Sequence, residues 1–305
     1  MPDVREPCCG RLDNLEEEMV NLRAILEVVY HVPADFSLEQ VDVCGQCWPV
    51  AGATGGDHLV FVDFKRRFDL DRRVRRARRA GREDVAHGLE HNRDRLGVLL
   101  ADVAGHQMTD ALVAAMLHQA FLVGVLYELE QYGEITPRLI EVLNTRFYQS
   151  SSVSKFVTMV YGEIAEDGTF RFILAGHPRP MIFSAEFDRF VSIGEDRLVS
   201  FPPIGVFPSE SDVDRDMSSR SPHYARRYTV NEVNLMAPGD ILLLLTDGIL
   251  EHERDDEEFA PGRLEEALRA AKHLPSAAIL DHVRAEVLAF APQQDDMSLV
   301  VIKRR

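Results

Sequence analysis

The sequence has no run of about 20 consecutive apolar residues of the kind that spans a bilayer, and its N-terminus, MPDVREPCCG, lacks the basic-then-apolar pattern of a signal peptide. A cytoplasmic location and no membrane partner are therefore expected. No G-x-G-x-x-G follows a strand-like run, which argues against a doubly wound dinucleotide fold. Neither a Cys-x5-Arg phosphatase loop nor a phosphate-cradling P-loop is present. Basic residues are outnumbered, 34 Lys and Arg against 50 Asp and Glu, and the net charge of −16 argues against broad nucleic-acid binding. Cysteine is scarce: a vicinal pair, Cys8 and Cys9, and Cys44-Gly45-Gln46-Cys47. Two close pairs leave open incidental thiols, a zinc site or a redox pair, although no helix follows Cys47 as a thioredoxin-type site requires.

What is present is a core and four aspartates. With 305 residues, 46% of them apolar, the chain can fill one large domain with an appendage. Each aspartate stands at the end of a short apolar run: Asp57 in TGGDHLVFV, Asp102 in GVLLADVAGH, Asp247 in ILLLLTDG and Asp295 in QQDDMSLVVI. A carboxylate is excluded from the middle of a buried strand, so each belongs at a sheet edge where the chain turns. Asp102 and Asp247 follow their runs, whereas Asp57 and Asp295 precede theirs. Antiparallel neighbours would bring all four to one end of a sheet. Such a cluster repels itself unless protons or hard divalent cations neutralise it.

Residues 1–40 form an N-terminal helical segment, in which Leu12, Leu15, Met19, Leu22, Leu26 and Val29 recur at coiled-coil spacing. That seam suits pairing with a second copy, a homodimer, or packing on the chain's own domain. Residues 41–305 form the main domain. Strands are expected within 41–64 and over 95–103, separated by an arginine-dense segment at about 65–95 that reads as an insertion, either a solvated loop or exposed helix, or a docking surface for an acidic partner or a phosphoprotein. The run MTDALVAAMLHQAFLVGVLYELEQ predicts a helix buried on more than one face, and Thr136-Pro137 predicts the start of a second, with Thr136 as its cap. A hairpin follows around Glu166-Asp167-Gly168, then short strands, a polar segment at 209–228 that reads as a flap, a strand pair around Pro238-Gly239-Asp240, helices over 261–271 and 275–290, and a last strand MSLVVIKR. This order predicts an α+β fold, an α-β-β-α sandwich of two antiparallel sheets flanked by helices.

The ordered set GGD, D-x-x-G-H, F-V-T-M, A-G-H-P, P-P-I-G, L-T-D-G and D-D-M-S, over residues 41–303, closely resembles the metal-dependent protein phosphatases of the PPM superfamily, in their bacterial SpoIIE-like branch. The resemblance implies hydrolysis of phosphoserine or phosphothreonine with two Mn²⁺ or Mg²⁺ ions and metal-activated water. It assigns Asp102 to both ions, with the Val103 carbonyl beside it and Asp57 on one side. Asp247 and Asp295 bind the ion opposite, Asp295 being preferred to Asp296. Gly56 and Gly248 would let backbone approach closely. His106 suits turn structure or proton transfer, His177 a structural role, and Arg179 a salt bridge or a hold on substrate phosphate. The chain departs from the family's G-H-G at Gly105-His106-Gln107 and from its aromatic and acidic residues after GGD at His58 and Val60. By resemblance the substrate is a phosphorylated STAS-type anti-sigma-factor antagonist in a partner-switching pathway. A catalytically silent binding module of the same fold and a metallohydrolase of small phosphoesters remain open alternatives.

Overall fold

The structure, a computed structural model, describes residues 6–29, 32, 36–50, 54–105, 107–150, 155–194, 198–209, 227–235 and 237–305. Its centre is a pair of packed sheets. One carries β1 (Val41–Trp48), β13 (Met297–Arg304), β10 (Ile241–Leu245), β6 (Met181–Ser184) and β7 (Arg189–Val191), in that order and antiparallel throughout. The other carries β2 (His58–Asp63), β3 (Arg95–Val103), β4 (Val157–Ala165), β5 (Thr169–Ala175) and β8 (Ser200–Phe201), with β9 (Asn231–Asn234) also on β5. The pairing of β5 with β8 is parallel, a departure from the expected antiparallel order. A separate two-stranded ribbon joins β11 (Glu253–Arg254) and β12 (Glu257–Glu258).

The apolar runs that do not alternate are explained by this layering. In β10, Leu242 and Leu244 face the other sheet with Val300, Ile302, Leu59, Phe61, Val98 and Leu100, while Ile241, Leu243 and Leu245 face the outer helices. Both faces of the strand are buried, so ILLLL needs no polar position. Each such Leu or Phe removed from water contributes about 1.5–3 kcal/mol.

On the β13 side lie α8 (Gly262–Ala271) and α9 (Ser276–Phe290), preceded by the short α7 (Asp247–Leu250). On the β3 side lie α5 (Met108–Gln131), α6 (Pro137–Ser150) and three smaller helices, α2 (Phe64–Arg67), α3 (Leu70–Arg79) and α4 (Glu83–His91). The α-β-β-α sandwich expected from the sequence is the observed fold.

Two expectations are corrected. The arginine-dense segment is not only a solvated insertion: Phe64, Phe68, Leu70, Val74, Ala77, Val85, Ala86 and Leu89 sit in the core beneath α5. Helix α5 buries one face, with Ala114, Leu117, Phe121 and Val125, but exposes Leu112, Met116, Val123, Leu126 and Tyr127 on the other. By length and composition alone it is apolar enough to cross a membrane, a test that the core helices of soluble proteins also pass. Helix α6 starts at Pro137, with Thr136 before it as expected; the Thr136 hydroxyl donates to Glu128 Oε2 at 2.5 Å and its amide donates to the same oxygen at 2.9 Å.

Helix α1 (Glu6–Val29) rests on α5. Leu26 is buried and Leu22 half-buried, whereas Met19, Val20 and Ile25 are exposed. The side chains of Leu12, Leu15, Cys8 and Cys9 lie outside the described residues, as does most of the polar segment at 209–228. The C-x-x-C pair is on β1, where residues three apart point to opposite faces. Cys44 faces the outer helices and Cys47 the space between the sheets. Both are free, and this placement removes the two as ligands of one ion.

Candidate metal centre

The strand register brings the four aspartates to one end of the sandwich. His58, at the start of β2, pairs with Ala101 near the end of β3, and Leu245, at the end of β10, pairs with Leu299 near the start of β13. Asp57 and Asp295 therefore enter strands where Asp102 and Asp247 leave them.

Asp57 ties the two sheets together. It is 3% exposed, and its Oδ2 accepts from the Thr246 hydroxyl at 2.8 Å and the Ser298 hydroxyl at 2.7 Å, both on the opposite sheet. Burial pushes its carboxyl well above the ordinary range, the charge of Asp102 adds to that, and the two hydroxyls oppose it. Asp102 is partly buried at the end of β3. Burial, and then the charges of Asp247, Asp295, Asp296 and Asp110, raise it to about 7. Asp247 is raised by burial and by Asp295. Asp295 is exposed, and its Oδ1 accepts from the Asp296 amide at 2.8 Å.

Asp296 has a different task from its neighbour. It is buried, and its two oxygens accept from the Gly56 amide and the Val50 amide, each at 2.7 Å. It staples the Gly-Gly-Asp loop to the start of β13. A Cβ at Gly55 would strike this carboxylate, and one at Gly248 would strike the Asp296 carbonyl. At Gly56 a Cβ would collide with the carbonyl oxygens of Val103 and Gly105. The close approach of backbone leaves only glycine at Gly56 and Gly248, each beside one of the acids.

Several residues that shape this end were not singled out in the sequence. Thr246 and Ser298 are two. Asp110, fully buried, accepts from the Gln107 amide at 2.9 Å in a capping box at the start of α5, and pairs with Lys155 Nζ at 2.6 Å. Lys155 also donates to the Ala104 carbonyl at 2.9 Å, so the loop after Asp102 is held from both ends. The sequence signal for Asp110 was its place three residues into the helix after the D-x-x-G-H run. His58, behind Asp57, is fully buried and shares a 2.8 Å hydrogen bond with His118 of α5; burial lowers His58 to about 3 and also lowers His118. His177 is buried and bonded to Thr158, the partner of Asp102 across β3 and β4, as a structural role would require. Arg179 is exposed, and His106 lies outside the described residues.

Among the described residues, no three His, Cys, Asp or Glu side chains converge tightly enough to hold an ion by themselves. The donors present are carboxylates, with the Val103 carbonyl beside them. That set fits hard divalent cations that keep part of their water shell, and Mg²⁺ in particular binds through one or two carboxylates plus water.

The similarities to known proteins follow this geometry. The family model of Stage II sporulation protein E (SpoIIE) matches residues 92–305. Among solved structures, the RsbU and RsbW domains of Rv1364c from Mycobacterium tuberculosis share 21% identity at a TM-score of 0.56, over 87% of this chain and 60% of theirs. The SiaA-PP2C domain of Pseudomonas aeruginosa matches over 97% of this chain and 98% of its own, with 14% identity and a TM-score of 0.60. RsbX, solved in complex with magnesium, matches over 88% and 98%, with 12% identity and a TM-score of 0.51. The chain thus spans about three fifths of the Rv1364c chain, and no curated protein sequence matches it. With the family model covering more than two thirds of its length, and Asp102, Asp247 and Asp295 inside that frame while Asp57 precedes it, the chain belongs to the SpoIIE family.

Proposed function

We propose that this chain is a metal-dependent phosphoserine/phosphothreonine protein phosphatase, acting in the cytoplasm. The observation that carries the reading is the meeting of Asp57, Asp102, Asp247 and Asp295 at one end of the sandwich, with Asp102 held near 7 by burial and by its acidic neighbours. Family membership and the magnesium in RsbX support it.

Asp57, Asp102, the Val103 carbonyl, Asp247 and Asp295 are the groups that would hold two Mn²⁺ or Mg²⁺ ions. Bound there, such ions supply an activated water and neutralise charge on the phosphoryl oxygens. The chain's own residues do the positioning. Thr246 and Ser298 fix the Asp57 carboxylate across the sheets, Asp296 fixes the glycine loop beside it, and Asp110 with Lys155 fixes the loop that follows Asp102. No serine or cysteine is needed as a nucleophile.

The finer reading is that the substrate is a phosphorylated STAS-type anti-sigma-factor antagonist in a partner-switching pathway. Two copies pair through α1, whose exposed Met19, Val20 and Ile25 offer an apolar edge.

The test is phosphate release from a phosphoserine STAS-type protein and from p-nitrophenyl phosphate, with Mn²⁺ or Mg²⁺, for wild type, Asp102→Ala and Asp247→Ala. Release from the phosphoprotein that both substitutions abolish is expected. Release from the small ester alone would move the protein to small-phosphoester hydrolysis, and none at all to a silent binding module.

A further inference from the structure

A chain with an excess of acid concentrates base in one place. Residues 64–82 hold ten Lys or Arg and two Asp, within a protein of net charge −16. The apolar positions of this stretch, Leu70, Val74 and Ala77, are spaced on one face of α3 and buried, which anchors the helix and turns its guanidinium groups outward. Asp69 caps it, accepting from the Arg72 amide at 2.9 Å, and Asp71 is gripped by Arg93 at 2.6 Å. The first turn of the basic helix is therefore tied to its cap and to Arg93.

Between α3 and the C-terminal half of α5 lies an open groove of about 700 Å³. Its apolar lining is Phe68 and Leu126, and its charged lining includes Arg67, Arg72, Arg73 and Arg76. The groove already holds two carboxylates: Asp69 lines it, and Glu130 meets Arg76 at 3.1 Å and Arg73 at 3.4 Å, with Arg73 also lying over the Phe68 ring. Arg67 and Arg72 are exposed and have no ion pair among the described residues. Helix α5 starts beside the acidic centre, and Leu126 lies 18 residues from its start, about 27 Å along the axis. Exposed Leu112, Met116, Val123 and Tyr127 form a row along the helix between the two places.

We propose that this groove docks an acidic segment of the phosphoprotein substrate, with an apolar side chain between Phe68 and Leu126 and carboxylates on Arg67, Arg72 and Arg76. The identity of the occupant as a substrate rests on the phosphatase reading; the docking site itself does not. Planar guanidinium groups on a fixed helix match carboxylates in pairs. Complementary charge also raises the encounter rate with an acidic partner. A nucleic acid fits less well, because the remainder of this acidic chain repels a long polyanion and an apolar lining serves it little.

The experiment uses the full chain, with Arg67→Glu/Arg72→Glu as the groove variant and Arg79→Glu, exposed on the same helix outside the groove lining, as the charge control. The probe is a fluorescent, unphosphorylated peptide of Asp and Glu residues around a central Leu, followed by anisotropy at low and physiological salt. Wild type binds it, the groove variant weakens binding by about tenfold or more, and Arg79→Glu stays near wild type. In parallel, a phosphoserine peptide with the same acidic extension shows a raised KM in the groove variant, with kcat and p-nitrophenyl phosphate hydrolysis unchanged. No binding by wild type, equal weakening in Arg79→Glu, or displacement by a more tightly bound single-stranded oligonucleotide would overturn the docking site. Groove-dependent binding with no hydrolysis of any phosphoester would overturn the occupant's identity as a substrate, and with it the phosphatase reading. Hydrolysis without groove-dependent binding would overturn the docking site alone.

Discussion

The acidic end of the sandwich and the arginine helix α3 handle charge in opposite ways. At the acidic end, like charges are brought together by strand register and partly buried, so that Asp57, Asp102 and Asp247 all hold protons more tightly than free carboxylates do. On α3, like charges face water or neighbouring carboxylates, and the helix is held by what lies beneath them, Leu70, Val74 and Ala77. Clustered charge in one place is set into the framework of the protein, and in the other it is carried on an apolar anchor. The first arrangement costs stability until cations arrive; the second costs little.

The widest gap between the regions is expected from substitutions beneath the arginines. Leu70→Ala, on α3 at a site 5% exposed, removes core volume and is expected to lower unfolding free energy by about 2–5 kcal/mol in denaturant titration. Were the segment a mere solvated insertion, the loss would be close to zero. At the acidic end, Ser298→Ala strips Asp57 of one of its two hydroxyl donors and should cost about 1.5–3 kcal/mol, read in the same way. Gly56→Ala drives a methyl group into two backbone carbonyls and should cost about 1–3 kcal/mol while reducing divalent-cation binding. Retained stability and unchanged cation affinity in that variant would show that the loop relaxes freely.

The pH dependence sharpens the contrast further. Asp102 is raised from 3.8 to about 7, so its contribution to stability is complete below about 3.8 and is lost as pH rises through about 7. Cation-free protein should therefore melt at a lower temperature at about pH 8 than at about pH 5, and Asp102→Asn or added Mg²⁺ should flatten that slope. A slope unchanged by either would assign the effect to other groups. Smallest of all, Arg75→Ala on the exposed face of α3 should stay within about 0.5 kcal/mol of wild type.

The same contrast governs what could be read from the sequence. The aspartates were legible because a carboxylate at the end of an apolar run has few structural explanations, and because antiparallel pairing alternates their positions. The sandwich was legible from the order of runs. The core side of α3 was not, because arginine density concealed the spacing of Leu70, Val74 and Ala77, which becomes plain once the arginines are read as one face. The role of Asp296 was hidden by its neighbour: two adjacent acids look interchangeable, and only the fold shows that one accepts two buried amides while the other is exposed. The hydroxyls of Thr246 and Ser298 reach Asp57 across the two sheets, 189 and 241 residues away in the chain, a distance no local pattern reports.

Calorimetric titration of Mn²⁺ into cation-free wild type, Asp102→Ala and Asp247→Ala, with circular dichroism to verify the fold, tests the central claim most directly. The account predicts two bound ions in wild type, loss of at least one in each variant, and preserved secondary structure in all three. Absence of cation binding in wild type, or binding of the same stoichiometry and affinity in both variants, would contradict it.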